Sequence, residues 1–325
     1  MPDSHSRLIG EHDVEQLVRI SQRDGLGLQT GAMRVRLRSD VPEVRRVIHS
    51  LYRYHRLRPQ QQWLADFHIY LERPRGLRRW WRPQVIMHSD AKTPFEPFRL
   101  DHAYPLFEWS FNWTIAMNAH QFLLLHAAVV EKDGVAVIMP ALPGSGKSTL
   151  CSALMLKGWR LLSDEFGIIR PSDNSLSMHP LPRPIPLKNA SIDVIRNFSP
   201  DAVLGPTYPE TRKGAVAHLM ATEQSQRNSD QPAPAGWLLF PLYQAGAELH
   251  IESVPKAHTF LKLSGNSFNY KLQGARGFQT VTTLVNRCPA YQLRYSDLNS
   301  AIDRIETLHA QVIDQHASGA IPRAQ

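Results

Sequence analysis

Apolar positions recur along this chain with two alternating periods. Residues 27–38 and 67–72 carry apolar side chains at alternate positions, which predicts strands. Between them Val44, Val47, Ile48 and Leu51 have the spacing of one helix face, within a helix over 41–54. Residues 94–105 form a proline-punctuated connection, and Leu106 to His120 predicts a helix rich in large apolar groups. Residues 123–130 and 135–139 predict strands joined by the hairpin-type turn Glu131-Lys132-Asp133-Gly134. A helix over 147–157 ends at Gly158, a suitable C-cap, and 159–163 forms a short buried strand. A proline-rich loop over 180–186, a helix over 191–198 and a loop over 199–214 follow. Strands are expected at 216–221, 237–243 and 249–254, with a polar loop at 224–235. Helices at 256–264 and 274–286, a strand at 291–295 and a helix at 298–313 close the pattern. The first dozen and last eight residues are expected to fray. Strands alternating with helices argue for the α/β class, with any nucleotide at the carboxyl ends of the central strands.

Composition narrows this. A chain of 325 residues with 42% hydrophobic and 20% charged residues is globular and holds one large or two ordinary domains. No apolar run approaches the roughly 20 residues of a membrane span, so no membrane partner is expected. The start lacks a basic region followed by an apolar stretch, and no secretion signal is expected. Cys151 and Cys288 cannot build a disulfide framework, which suits a reducing cytoplasm. Much of the net charge of +8 lies in the N-terminal third, at Arg34, Arg36, Arg38, Arg45, Arg46, Arg53, Arg56, Arg58 and the block 73–82. Basic residues among aromatics can bind nucleic acid, form a solvated face or dock an acidic partner. No nucleic-acid signature accompanies the charge, so no specific nucleic-acid partner is expected.

One segment carries explicit chemistry. Ala141-Leu142-Pro143-Gly144-Ser145-Gly146-Lys147-Ser148 lies between a predicted strand and a predicted helix, the context in which a phosphate-loop match is credible. Gly144 and Gly146 let backbone N–H groups turn inward at an anion, and the helix adds its positive end. Pro143, Gly144, Ser145, Gly146, Lys147, Ser148 and Thr149 are therefore the candidate nucleotide-binding residues. Lys147 would meet the β- and γ-phosphates of ATP, and the Ser148 hydroxyl would ligate Mg²⁺. The pattern has glycine at its first position, where this chain has Ala141.

Asp164 and Glu165 follow the next predicted strand. An acid there can serve the metal or position and deprotonate an acceptor, so both are catalytic candidates, with Asp164 also a metal candidate. The bland alternative is an acidic strand end. His126 stands in the strand before the loop, where a lone histidine is more often a hydrogen-bonded core residue than a catalyst. Arg183, Lys188 and Lys213 can clamp phosphate oxygens or be ordinary surface charge. His179, His218, His250 and His258 have no metal-ligand spacing.

The ordered set Leu125 to Val130, Pro143 to Leu150, Lys157 to Glu165 and Arg183 to Asn189 resembles the HPr kinase/phosphorylase superfamily, in its branch called HPr kinase-related kinase A. Phe107 to Trp113 and the region from Phe278 to Leu308, including Tyr291 to Leu298, fit that branch as well. The resemblance covers most of the chain from about residue 105. It implies a phosphate-loop kinase core related to phosphoenolpyruvate carboxykinase over 105–325, preceded by an α+β segment over 1–104. It also implies ATP-dependent phosphorylation of a hydroxyl, that of serine, on a protein or peptide acceptor. Roles carry over to His126 near the reacting acid, Lys147 on the phosphates, Ser148 on the metal and the Asp164–Glu165 pair. The branch is associated with peptide-modification clusters, which points to a small peptide or its carrier. The resembled family assembles into rings, so a homo-oligomer is an open expectation. HPr kinases have aspartate where Glu165 stands, and an acidic signature segment that is not found here. These departures, with Ala141, leave HPr as the acceptor and the reverse phosphorolysis reaction open. A nucleotide-binding regulator or ATPase without transfer, and a small-molecule kinase, are the alternatives.

Overall fold

The computed structural model describes residues 7–58, 63–76, 80–90, 92–171 and 175–317. The C-terminal residues expected to fray, 318–325, lie outside the described residues, as do 1–6 and positions 77–79 of the basic block. The fold is mixed α/β, with several sheets and helices. The chain forms two compact units: Met1–Asn118 with Arg183–Asn228, and Ala119–Pro182 with Ser229–Gln325.

In the first unit, residues 7–12 are not frayed. Ile9 is buried and its N–H donates to His55 at 2.9 Å, so a backbone bond and an apolar anchor hold this end. Helix α1 (Val14–Arg23) is capped by Asp13, whose carboxylate accepts from the Gln16 N–H at 2.6 Å. The single strand expected over 27–38 is a hairpin of β1 (Leu26–Thr30) and β2 (Met33–Ser39). Its two-residue turn places Gly31 at φ 59°, as hairpin turns of this length require. Met33, Val35 and Leu37 point inward, and Arg34, Arg36 and Arg38 line the opposite face. Those arginines have local partners: Arg34 pairs with Asp66 at 3.0 Å, while Arg36 and Arg38 donate to the carbonyls of Asp24 and Arg23. Helix α2 (Pro42–Leu51) buries the four apolar positions that its spacing predicted. The strands β3 (Leu57–Arg58), β4 (Phe67–Glu72), β5 (Gln84–Ser89) and β6 (Phe98–Arg99) complete a sheet in the order β3-β1-β2-β4-β5-β6. Helix α3 (Ala103–Asn118) packs on β4 and β5.

The second unit opens with a hairpin, β7 (Leu123–Lys132) and β8 (Val135–Pro140), turning at Asp133 and Gly134 as predicted. Helix α4 (Lys147–Leu156) follows. Then come β9 (Arg160–Ser163), β10 (Phe166–Ile169) and β11 (Ser177–His179). Both β9 and β10 run antiparallel to β7, one on each half of it. They act as one long strand interrupted at residues 164 and 165. The apolar run Phe166 to Ile169 was not expected to be a strand.

The chain returns to the first unit with β12 (Ile185–Lys188), α5 (Ala190–Phe198), β13 (Tyr208–Thr211), β14 (Gly214–Leu219) and α6 (Glu223–Arg227). The three strands form a small antiparallel sheet in the order β12-β14-β13. Pro186 within β12 had suggested a loop. The strand lies at a sheet edge, where a residue without an N–H is tolerated.

The second unit closes with β15 (Ala233–Tyr243), β16 (His250–Ser253), α7 (Lys256–Gly265), α8 (Tyr270–Arg287), β17 (Ala290–Tyr295) and α9 (Leu298–Ala317). Its sheet runs β11-β10-β7-β8-β15-β17-β16, with β8, β15 and β17 mutually parallel. Leu125, Val129, Ile138, Leu162, Leu238 and Leu284 are among its core. No helix among the described residues is long and apolar enough to cross a membrane. Cys151 and Cys288 are free and buried, and burial pushes the Cys288 thiol up to about 12.

Candidate functional site

The glycine-rich segment leaves the carboxyl end of β8 and enters α4. Two of its glycines sit in the left-handed region, Gly144 at φ 87° and Gly146 at φ 85°. Gly146 is the N-cap of α4 and has a second reason to be glycine. A Cβ there would lie 2.8 Å from Tyr243 Cβ and 2.8 Å from the Tyr295 hydroxyl. The ends of the two parallel neighbours hold the loop. The Tyr243 N–H, ending β15, donates to the Ser145 carbonyl at 2.9 Å, and the Tyr295 hydroxyl, ending β17, donates to the Gly146 carbonyl at 3.4 Å. The loop thus stands at the carboxyl ends of three parallel strands. Pro143 and Gly144 are exposed, and Ser145, Gly146, Ser148 and Thr149 are half-buried.

The interruption between β9 and β10 faces this loop. Ser163 Oγ accepts the N–H groups of Glu165 at 3.3 Å and Phe166 at 3.1 Å, which bends the chain. The bend aims the two acids at different partners. Asp164 is buried, and its carboxylate accepts from Ser148 Oγ at 3.0 Å. The Lys147 ammonium lies 3.8 Å from Asp164 Oδ1 and also donates to the Asp164 main-chain carbonyl. Side-chain exposures of 8% for Lys147 and 4% for Asp164 put this pair out of reach of solvent screening. Cys151, one turn along α4, has its thiol pushed well up by burial and then by the Asp164 charge.

Glu165 points the other way. Its Oε1 lies 3.5 Å from His126 Nε2, and both side chains are half-buried. The register brings the two backbones side by side, Phe166 pairing with His126 across β10 and β7, and the bend after Ser163 turns Glu165 toward the ring. Burial lowers the pKa of His126 below the ordinary imidazole range, the Lys147 charge lowers it further, and Glu165 opposes both. His126 Nδ1 lies 3.3 Å from Asn266 Oδ1, and the Phe268 ring meets the imidazole edge-on at 5.4 Å between centroids.

His126, Lys147, Ser148, Asp164 and Glu165 are therefore brought together within the second unit. Arg183, Lys188 and Lys213 belong to the first unit. Arg183 is buried there, donating to Glu108 at 3.2 Å and to Asn112, with its guanidinium over Phe111. Tyr52 and Tyr104 donate to the same Glu108 carboxylate, each at 2.7 Å. Lys213 sits over the Trp109 ring. Among the described residues no group of three or more His, Cys, Asp or Glu could hold a metal by itself. A metal here would depend on Ser148, Asp164 and oxygens brought by a substrate.

Sequence reasoning missed Asn266, Phe268, Tyr243 and Tyr295. The segment from Asn266 to Asn269, between α7 and α8, runs beside the first half of β7. Ser267 Oγ and the Phe268 N–H both donate to the Leu124 carbonyl at 2.9 Å, and Asn269 bonds Leu124 N–H and the Phe122 carbonyl. Two asparagines and a serine in four residues between helices were the available signal.

Residues 109–199, under a third of the chain, match the protein family described as SynChlorMet cassette protein ScmC. The match takes in the glycine-rich loop and both acids. No curated protein matches the chain.

Proposed function

We propose that the chain is an ATP-dependent phosphotransferase of the HPr kinase-related type, with a phosphate-loop kinase core and a serine hydroxyl of a protein or peptide as acceptor. One observation carries this above the rest. Lys147 and Ser148, at the start of a helix behind two left-handed glycines, both converge on the buried carboxylate of Asp164. Backbone N–H groups at the start of α4 offer an anion cradle, and Lys147 supplies positive charge beside it. Ser148 Oγ and Asp164 Oδ2, 3.0 Å apart, form an oxygen pair of the kind Mg²⁺ accepts alongside phosphate oxygens and water. Bound there, Mg²⁺ would neutralise charge on the phosphates.

Roles divide between the acids. Asp164 is committed to Lys147 and Ser148, so it suits the metal and phosphate side. The sequence left both acids as candidates for the base; the geometry favours Glu165, which is more exposed and has His126 beside it to take up a proton. The description of the matching family as a cassette protein is compatible with an acceptor made in the same cassette, such as a peptide under modification.

The test is incubation of the full chain with γ-labelled ATP, Mg²⁺ and an extract of the source cells, followed by separation of protein, peptide and small-molecule fractions. Label is expected in the protein or peptide fraction. ATP loss without label transfer would make the chain an ATPase or nucleotide-gated regulator. Label confined to small molecules would make it a metabolite kinase.

A further inference from the structure

We infer that Asn266 is a positioning residue that fixes the tautomer of His126, holding the ring proton on Nδ1 and turning the Nε2 lone pair toward Glu165. The Asn266 amide has only one orientation that satisfies its neighbours. Its Nδ2 lies 2.9 Å from the His126 carbonyl and 3.4 Å from the Ala141 carbonyl. Both are pure acceptors, so the donor end of the amide must face them. Oδ1 is then left facing His126 Nδ1 at 3.3 Å. An amide oxygen can only accept, so Nδ1 carries the hydrogen. The main chain supports the same geometry, since the His126 N–H donates to the Asn266 carbonyl at 2.8 Å. The ring cannot readily turn over, because Phe268 lies against its edge and Phe166 packs tilted against Phe268 at 4.8 Å between centroids.

The consequence lies at Nε2. With Nδ1 protonated, Nε2 and Glu165 Oε1 are two acceptors 3.5 Å apart, and the space between them suits a single proton. A proton leaving a hydroxyl near Glu165 would then have a defined destination, the Nε2 of His126. Asn266 also bonds to Ala141, the first residue of the glycine-rich segment, so one side chain fixes both the imidazole and the entry to the loop. The tautomer rests on Asn266 Oδ1, at 3.3 Å the nearer of the two acceptors facing the ring, against Glu165 Oε1 at 3.5 Å. Only its bearing on proton transfer rests on the phosphotransferase proposal.

The test reads the tautomer directly. A two-bond ¹H–¹⁵N correlation spectrum of the ¹⁵N-labelled, nucleotide-free full chain is recorded at slightly alkaline pH, and His126 is identified by the signal lost in His126→Gln. The expected pattern is Nδ1–H, although free imidazole side chains favour Nε2–H. In Asn266→Ala the signal should change to the Nε2–H pattern or to a mixture. An Nε2–H pattern in the parent overturns the inference, and so does an unchanged Nδ1–H pattern in Asn266→Ala. The parent spectrum decides even if the variant fails to fold. For proton transfer, Asn266→Ala should lower the rate of label transfer roughly 10²-fold, the ordinary scale of a general-base contribution, with the KM for ATP changing far less. Transfer at the parent rate would remove the positioning role. A parent that transfers no label would remove the phosphotransferase proposal and leave the tautomer result intact.

Discussion

Replacing Asp164 with Asn keeps the side-chain volume and removes one buried charge. The consequence can be worked from the Lys147 pair. At 3.8 Å, with an effective dielectric of about 20, the attraction between the two charges is about 4 kcal/mol. Removing one partner of a buried pair costs about 3–5 kcal/mol, because the other charge is left uncompensated. Lys147 keeps the main-chain carbonyl of residue 164 as an acceptor, which places the expected loss near about 3 kcal/mol, the lower end of that range. Asp164→Asn should therefore melt well below the parent without nucleotide. ATP without Mg²⁺ brings negative charge to Lys147 and should restore more stability to the variant than it adds to the parent. Mg²⁺ should strengthen the ATP-induced shift in the parent and do little in the variant, which lacks the carboxylate oxygen. Thermal-shift titrations with ATP, with and without Mg²⁺, measure all three effects. A variant that melts with the parent, or that gains as much from Mg²⁺, would refute the assigned role of Asp164.

Three further outcomes follow from the same geometry. Ser148→Ala should weaken Mg²⁺-dependent ATP binding more than Mg²⁺-free binding, measured by calorimetry; equal losses would reduce Ser148 to packing. Gly146→Ala forces an alanine to φ 85° and drives its Cβ to 2.8 Å from Tyr243 and Tyr295. It should destabilise the second unit by roughly 2–4 kcal/mol in urea titrations, whereas Gly144→Ala, with open space around it, should cost only the left-handed penalty of about 1–2 kcal/mol. His218, buried in the first unit, has its pKa lowered to about 3 by burial and then by the Arg183 and Lys188 charges. Its folded pKa lies below its unfolded value, so the stability it contributes is present above about pH 6.5 and lost as pH falls toward 3, up to about 5 kcal/mol. His218→Leu should flatten the acid side of the first unit's stability profile, and an unchanged profile would contradict this.

Features set by neighbouring residues were legible in the sequence. The α2 stripe, the β7–β8 hairpin and α4 each announce themselves within a dozen positions through periodicity or turn chemistry. Segments whose structure depends on distant pairing were not. The β10 strand exists because β7 offers it an edge, and the bend at Asp164 and Glu165 conceals that β9 and β10 continue one line along β7. The proline of β12 reads as a loop until the edge position supplies the reason it is tolerated. Likewise, the five principal site residues were named from motif and order. Their division into an Asp164 set and a Glu165–His126 set depends on the bend after Ser163. Asn266 could not be found by spacing, because its partners stand 125 and 140 positions away. Arg183 was read as a candidate phosphate clamp, and its guanidinium instead meets Glu108 and Asn112 inside the first unit.

The phosphotransferase proposal is tested most directly by comparing label transfer from γ-labelled ATP by the parent and by Lys147→Ala. Both are assayed with Mg²⁺ and the same acceptor fraction, with the labelled residue located by mass spectrometry. The expected result is label on a hydroxyl side chain of a protein or peptide, transferred roughly 10²–10³-fold more slowly by the variant, the cost of one lost electrostatic contact in the transition state. Equal transfer by the two proteins, or a parent that neither transfers label nor shifts its melting temperature with ATP, would contradict it.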